Sequence, residues 1–207
     1  MSKEIEIANK KGRKNLFFAT LVCLPGPIVL AINMAFGVNS TIIADLLKRS
    51  IDLVTVALAW IIYELTVSNF ISEETKARLE KFAKYFTAAS MCVSGLIMIY
   101  VAIANFGVNK GDMIPSLFFA LTGAILNIIL YINYRSLDNP VLRVQARLHQ
   151  VKMLFDCGMV VILMLWLLTS NEEIEKYTNL IGTVFISLYL IWSGLRLLEI
   201  WKRGKKE

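Results

Sequence analysis

Tyr85-Phe86-Thr87-Ala88-Ala89-Ser90-Met91-Cys92-Val93-Ser94-Gly95-Leu96-Ile97-Met98-Ile99-Tyr100-Val101-Ala102-Ile103-Ala104-Asn105-Phe106 runs for 22 residues without an acidic or basic side chain. Crossing a hydrocarbon core of about 30 Å takes roughly 20 residues of helix. Backbone groups in lipid must be hydrogen-bonded within their own segment, so a run of this length predicts a transmembrane helix. Similar runs lie on both sides of it, and the candidate spans are 16–37, 40–68, 85–106, 114–135, 142–169 and 177–201. An outer-membrane barrel would show alternating strands of about ten residues instead, and no such pattern is visible. The expected fold class is therefore an all-α integral membrane protein, a single six-helix transmembrane domain over residues 1–207 with no soluble domain after the last span.

The composition agrees, with 57% hydrophobic and 18% charged residues, where a soluble domain carries about 25% charged. Lys10, Lys11, Arg13 and Lys14 before the first apolar run imitate a signal peptide, but no small-residue cleavage site follows, so this run reads as the first anchor. Pro25-Gly26-Pro27 interrupts it. Proline removes a backbone donor and kinks a helix, so this span is expected to be bent or split. Cys23, Cys92 and Cys157 stand singly within apolar runs, with no CxxC, and read as small buried hydrophobes.

Lys and Arg in the connections set the orientation. Seventeen fall on the side of the termini and two, Lys110 and Lys176, on the other. By the positive-inside rule both termini are cytoplasmic, which places the protein in the cell membrane as a multi-pass chain. The acidic connection around Glu172, Glu173 and Glu175 then faces out. Tyr63, Tyr134, Trp166 and Trp201, near the span edges, fit interfacial belts. Ser72 to Lys84 reads as a solvated extension of the third span.

The functional information lies where charges enter the membrane. The second span contains Asp45, Lys48, Arg49 and Asp52, and the fifth contains His149, Lys152 and Asp156. Ionisable groups at that depth cost several kcal/mol each and normally face a protein interior or a wet cavity. Asp45, Lys48 and Asp52 lie at i, i+3 and i+7, and His149, Lys152 and Asp156 repeat the intervals. Each set therefore occupies one face of its helix. Lys48 with Asp52, facing Lys152 with Asp156, would make one compact layer, with Asp45 and His149 outside it. The pairs Lys48–Asp52 and Lys152–Asp156 are also spaced to neutralise one another within each helix, serving only to lock a bundle. Arg49 either snorkels to the interface or pairs with Asp45. The same pattern in spans of opposite direction suggests two inverted three-helix halves, with a substrate site near the midplane between them.

Gly37-Val38-Asn39-Ser40-Thr41-Ile42-Ile43-Ala44-Asp45, followed by Ser50-Ile51-Asp52, resembles the start of the second helix of cation diffusion facilitators. The resemblance covers the six-span region, best at residues 37–60 and 140–165. It implies six spans, cytoplasmic termini, a homodimer, and exchange of a divalent cation for protons. Its metal motifs, a His or Asp four residues before an Asp, place their second Asp at Asp52 and Asp156, the two metal candidates in this chain. At the first ligand positions stand Lys48 and Lys152. A protonated Lys has no lone pair, and two carboxylates make a poor zinc site.

These residues lead to a proton-coupled secondary transporter, an antiporter of cations through a modified Lys/Asp site at Asp45, Lys48, Asp52, His149, Lys152 and Asp156. The alternative is a transport-dead relative with a structural or regulatory role, its Lys–Asp pairs sealing the old ion path. The expected partners are membrane lipid, a small ion or small molecule exchanged with protons, and a second copy of the chain. No cofactor is expected. An enzyme is disfavoured because HExxH, GxSxG and phosphate-loop motifs are missing. Nucleic-acid binding is disfavoured because the basic residues flank spans instead of forming a folded basic domain.

Overall fold

The computed structural model of the protein describes residues 3–34, 40–68, 71–104, 113–169 and 172–203. Among them the chain forms seven helices and no strand: α1 (Lys3–Cys23), α2 (Pro25–Met34), α3 (Ser40–Val67), α4 (Glu73–Ala104), α5 (Met113–Arg135), α6 (Pro140–Thr169) and α7 (Glu172–Arg203). Among the described residues three helical stretches are long and apolar enough to cross a membrane: Leu46–Val67, Glu73–Ala104 and Leu180–Leu198. Their outer faces expose large apolar side chains such as Val54, Leu96, Ile103, Phe185 and Leu188. Water would disfavour such a surface by about 25 cal/mol per Å², and lipid would not. This is the exterior of a helical membrane protein.

Local chemistry sets the helix ends. The first apolar run is divided as its prolines require: α1 ends at Cys23 and Pro25 opens α2, where its missing N–H has no intrahelical role. α1 also reaches back through the basic segment to Lys3, so that segment is helical. α4 starts twelve residues before the uncharged run, as the extension predicted. Ser72 caps it, with Thr75 N–H donating to Ser72 Oγ at 3.3 Å, and Glu73 and Glu74 in the first turn oppose the positive end of the helix dipole. Asn139 Oδ1 accepts from Val141 N at 2.9 Å and caps α6, whose first residue is Pro140. Glu172, Glu173 and Glu175 belong to α7 instead of forming a separate connection.

α5 packs along α6, α4 along α7, and α3 lies against α1, α2 and α4 while also touching α6. The larger core gathers Leu16 and Ala19 of α1, Val56 and Tyr63 of α3, and Leu130 and Tyr134 of α5 around the start of α6. Tyr63 and Tyr134 are 1% and 0% exposed, which corrects their assignment to an interfacial belt. Tyr134 Oη donates to the Asn15 carbonyl at 3.1 Å, so its hydroxyl is satisfied by α1 and has no need of the headgroup region. The Trp166 and Trp201 side chains lie outside the described residues. Cys23 and Cys92 are half-buried, whereas Cys157 is exposed on the apolar exterior and is not the buried residue expected.

Candidate functional site

Four polar side chains, Gln145, His149, Lys152 and Asp156, follow one another on α6 at intervals of four, three and four residues, which places them on one face of that helix. Each meets a polar group from another helix, and two of them share one partner. Gln145 Nε2 donates to Thr87 Oγ1 of α4 at 3.4 Å. His149 Nδ1 is 2.7 Å from Asn127 Oδ1 of α5. Lys152 Nζ lies 3.0 Å from Asp52 Oδ2 of α3, with side chains 19% and 18% exposed. Asp156 Oδ2 accepts from Asn127 Nδ2 at 2.7 Å.

The expected layer is therefore present at Asp52, Lys152 and Asp156, but it is joined differently from the sequence expectation. Lys152 is one turn from Asp156 on its own helix and forms its ion pair with Asp52 across the bundle. Asp156 takes its hydrogen bond from α5. Lys48 reaches across from α3 as well, its ammonium 4.6 Å from the centroid of the Phe155 ring. Contacts of this kind are worth about 0.5–2 kcal/mol depending on desolvation. Three of the four charged positions thus connect α3 to α6, where within-helix neutralisation would have left the two helices independent.

His149 was expected outside the layer. It is tied to it, because the single amide of Asn127 touches both His149 and Asp156. The imidazole is 2% exposed and stacks obliquely on Tyr134, ring centroids 5.4 Å apart. Asp45 lies on α3, and its side chain falls outside the described residues. Arg49 is exposed and runs its aliphatic stem past Gly26 of α2, which has no side chain to obstruct it. Arg147, counted among the connections, sits within α6 and donates from Nε to Ser193 Oγ of α7 at 3.0 Å.

α5 supplies the seat for Asp156. Asn127 holds one carboxylate oxygen, and one turn earlier Gly123 leaves room for the group. A Cβ at Gly123 would stand 2.9 Å from Asp156 Oδ2. Asn127 and Gly123 belong to the candidate site by their contacts with Asp156 and were missed by sequence reasoning. The signal for Asn127 was an amide in the middle of an apolar span, which is expensive unless a partner awaits it.

Chemically, the layer brings two carboxylates and two ammonium groups into one half-buried region, with the Arg49 guanidinium also near enough to act on Asp156. Among the described residues no group of three or more His, Cys, Asp or Glu could hold a metal ion. Compared with known protein families the chain matches none, and a search of curated proteins returns no significant match.

Proposed function

We propose that the chain is a secondary transporter of the cell membrane, built like the transmembrane part of a cation diffusion facilitator. In this reading six spans form inverted halves, both termini are cytoplasmic, the chain works as a homodimer, and a cation is exchanged for protons at the Lys/Asp layer. The observation that supports it most is the Lys152–Asp52 ion pair between α3 and α6. Ionisable groups at such depth mark ion and proton paths in membrane proteins.

The pair also suggests how exchange is enforced. A charged Lys152 occupies the carboxylate that an incoming cation would need. The cation can bind Asp52 only if Lys152 swings away or gives up its proton. In the second case Lys–NH₃⁺ becomes Lys–NH₂, which carries a lone pair and adds a neutral donor to the site. One positive charge then enters the layer as one proton leaves it. Asp156 with Lys48 nearby provides a second position of the same kind, with His149 joined to it through Asn127.

The same ion pair favours a second reading, in which the Lys residues permanently seal an inherited path and the protein serves a structural or regulatory role. Flux separates the two. Purified protein in liposomes, with an internal pH dye, is exposed in turn to zinc, manganese, sodium, potassium and small organic cations. The transporter reading predicts a proton signal dependent on one of these cations and lost in Asp52→Asn and Asp156→Asn. Silence across the panel, from protein shown to be folded, would establish the sealed relative.

A further inference from the structure

Asn127 makes two contacts of 2.7 Å through opposite ends of one amide, Nδ2 to Asp156 Oδ2 and Oδ1 to His149 Nδ1. Hydrogen-bond chemistry fixes its orientation. An ionised carboxylate only accepts, so it draws the NH₂ toward itself and turns the carbonyl to the imidazole. A carbonyl also only accepts, so His149 must then carry its proton on Nδ1. In the neutral ring the other nitrogen, Nε2, then has a bare lone pair. It is buried and has no hydrogen-bond partner among the described residues. Histidine free in water prefers the opposite tautomer, so the amide imposes this one.

We propose that Asn127, by the direction of its amide, sets the tautomer of His149. With its NH₂ given to the Asp156 carboxylate, the amide turns its carbonyl to the ring, holds the imidazole proton on Nδ1 and leaves Nε2 as a buried base. A residue at 156 that does not demand the NH₂ leaves the amide free to turn, and the ring then carries its proton on Nε2.

The groups that surround this unit are few. Lys152 is on the same helix, Lys48, Arg49 and Asp52 approach from α3, and Tyr134 of α5 covers the imidazole. α4 brings Thr87 against Gln145, and α7 brings Ser193 against Arg147. The consequence for proton exchange rests on the transporter reading; the tautomer assignment itself does not. Asn127 is a positioning residue, acting on both partners by the direction of its amide.

His149 is the single histidine of the chain, so protein labelled with ¹⁵N-histidine gives one imidazole spectrum in lipid bilayers at neutral pH. The expected wild-type spectrum is that of a neutral ring protonated on Nδ1. Asp156→Asn places a group there that both donates and accepts, which frees the amide to turn, and a clear Nε2–H population should appear. Asn127→Leu removes the constraint and should move the ring to Nε2–H in the same direction. A wild-type ring protonated on Nε2, or on both nitrogens, would overturn the proposal. So would an Nδ1–H spectrum unchanged in Asp156→Asn, which is nearly isosteric and carries the test if Asn127→Leu fails to fold. A silent flux assay beside the expected spectra would remove the transport reading alone.

Discussion

The contact between α4 and α7 and the contact of α6 with α3 and α5 both join long helices, by opposite chemistry. α4 and α7 approach through small residues. A Cβ at Gly194 would stand 2.8 Å from the Ala88 carbonyl oxygen, and Cys92 Sγ reaches the Ile191 carbonyl at 3.7 Å. Backbones this close gain dispersion along their length and offer nothing to an ion. α6 instead meets α3 through Lys152 and Asp52, and α5 through Asn127. Direct polar contacts of this type are strong when complete, and costly when one partner is withdrawn. One seam is closed by small residues; the other holds ionisable groups.

The comparison is most easily broken at the ion pair. Lys152→Met leaves Asp52 without its partner, and unfolding in detergent should show a loss of about 3 kcal/mol. Asp52→Leu in the same background should recover most of that stability while leaving the protein unable to exchange protons for cations. Recovery of exchange together with stability would show that the layer is only a lock.

The α4–α7 seam should respond in the reverse manner. Gly194→Leu drives a side chain into the α4 backbone, which cannot yield as a flexible side chain would. A loss of about 1–3 kcal/mol is expected, with exchange per folded molecule retained. Gly123→Ala is the intermediate case. Its methyl meets the Asp156 carboxylate, so the expected stability loss is about 1 kcal/mol and the fall in exchange is the larger effect. If Gly123→Ala and Gly194→Leu had the same profile, the distinction between the seams would fail.

At the far end of α4 only local effects are expected. Ser72→Ala should cost about 1 kcal/mol as a lost cap. The smallest effect is at Glu80, whose carboxyl is pushed up from 4.5 by burial and by Glu73, with Lys76 opposing. The folded chain then holds this proton more tightly than the unfolded one. Stability should fall as pH rises from about 4.5 through the raised folded value, and be flat above it. Glu80→Gln should remove that small dependence in thermal melts, and a dependence of opposite sign would contradict the assignment.

Much of the frame was legible because uncharged runs of membrane length leave few alternatives, and because Pro25 cannot continue α1. The charged positions on α3 and α6 were legible too, since periodicity places them on one face of each helix. The pairing was not. Spacing of four makes Lys152–Asp156 look self-sufficient, and only the register of α3 against α6 brings Asp52 to Lys152. Tyr63 and Tyr134 misled for a related reason: an aromatic near a span edge suits an interface, until α1 supplies a carbonyl and a wall of apolar side chains. Asn127 carried a signal, but its two partners lie on another helix, where a single sequence gives no distance.

The central claim is that a cation and the Lys152 proton compete for Asp52. Calorimetry in buffers of different ionisation enthalpy counts the protons released as zinc, manganese, sodium or potassium binds the purified protein. The account predicts that at least one of them binds wild type with release of about one proton per cation, and binds Lys152→Met without that release. Equal proton release from both proteins, or no binding by any of the four, would contradict it.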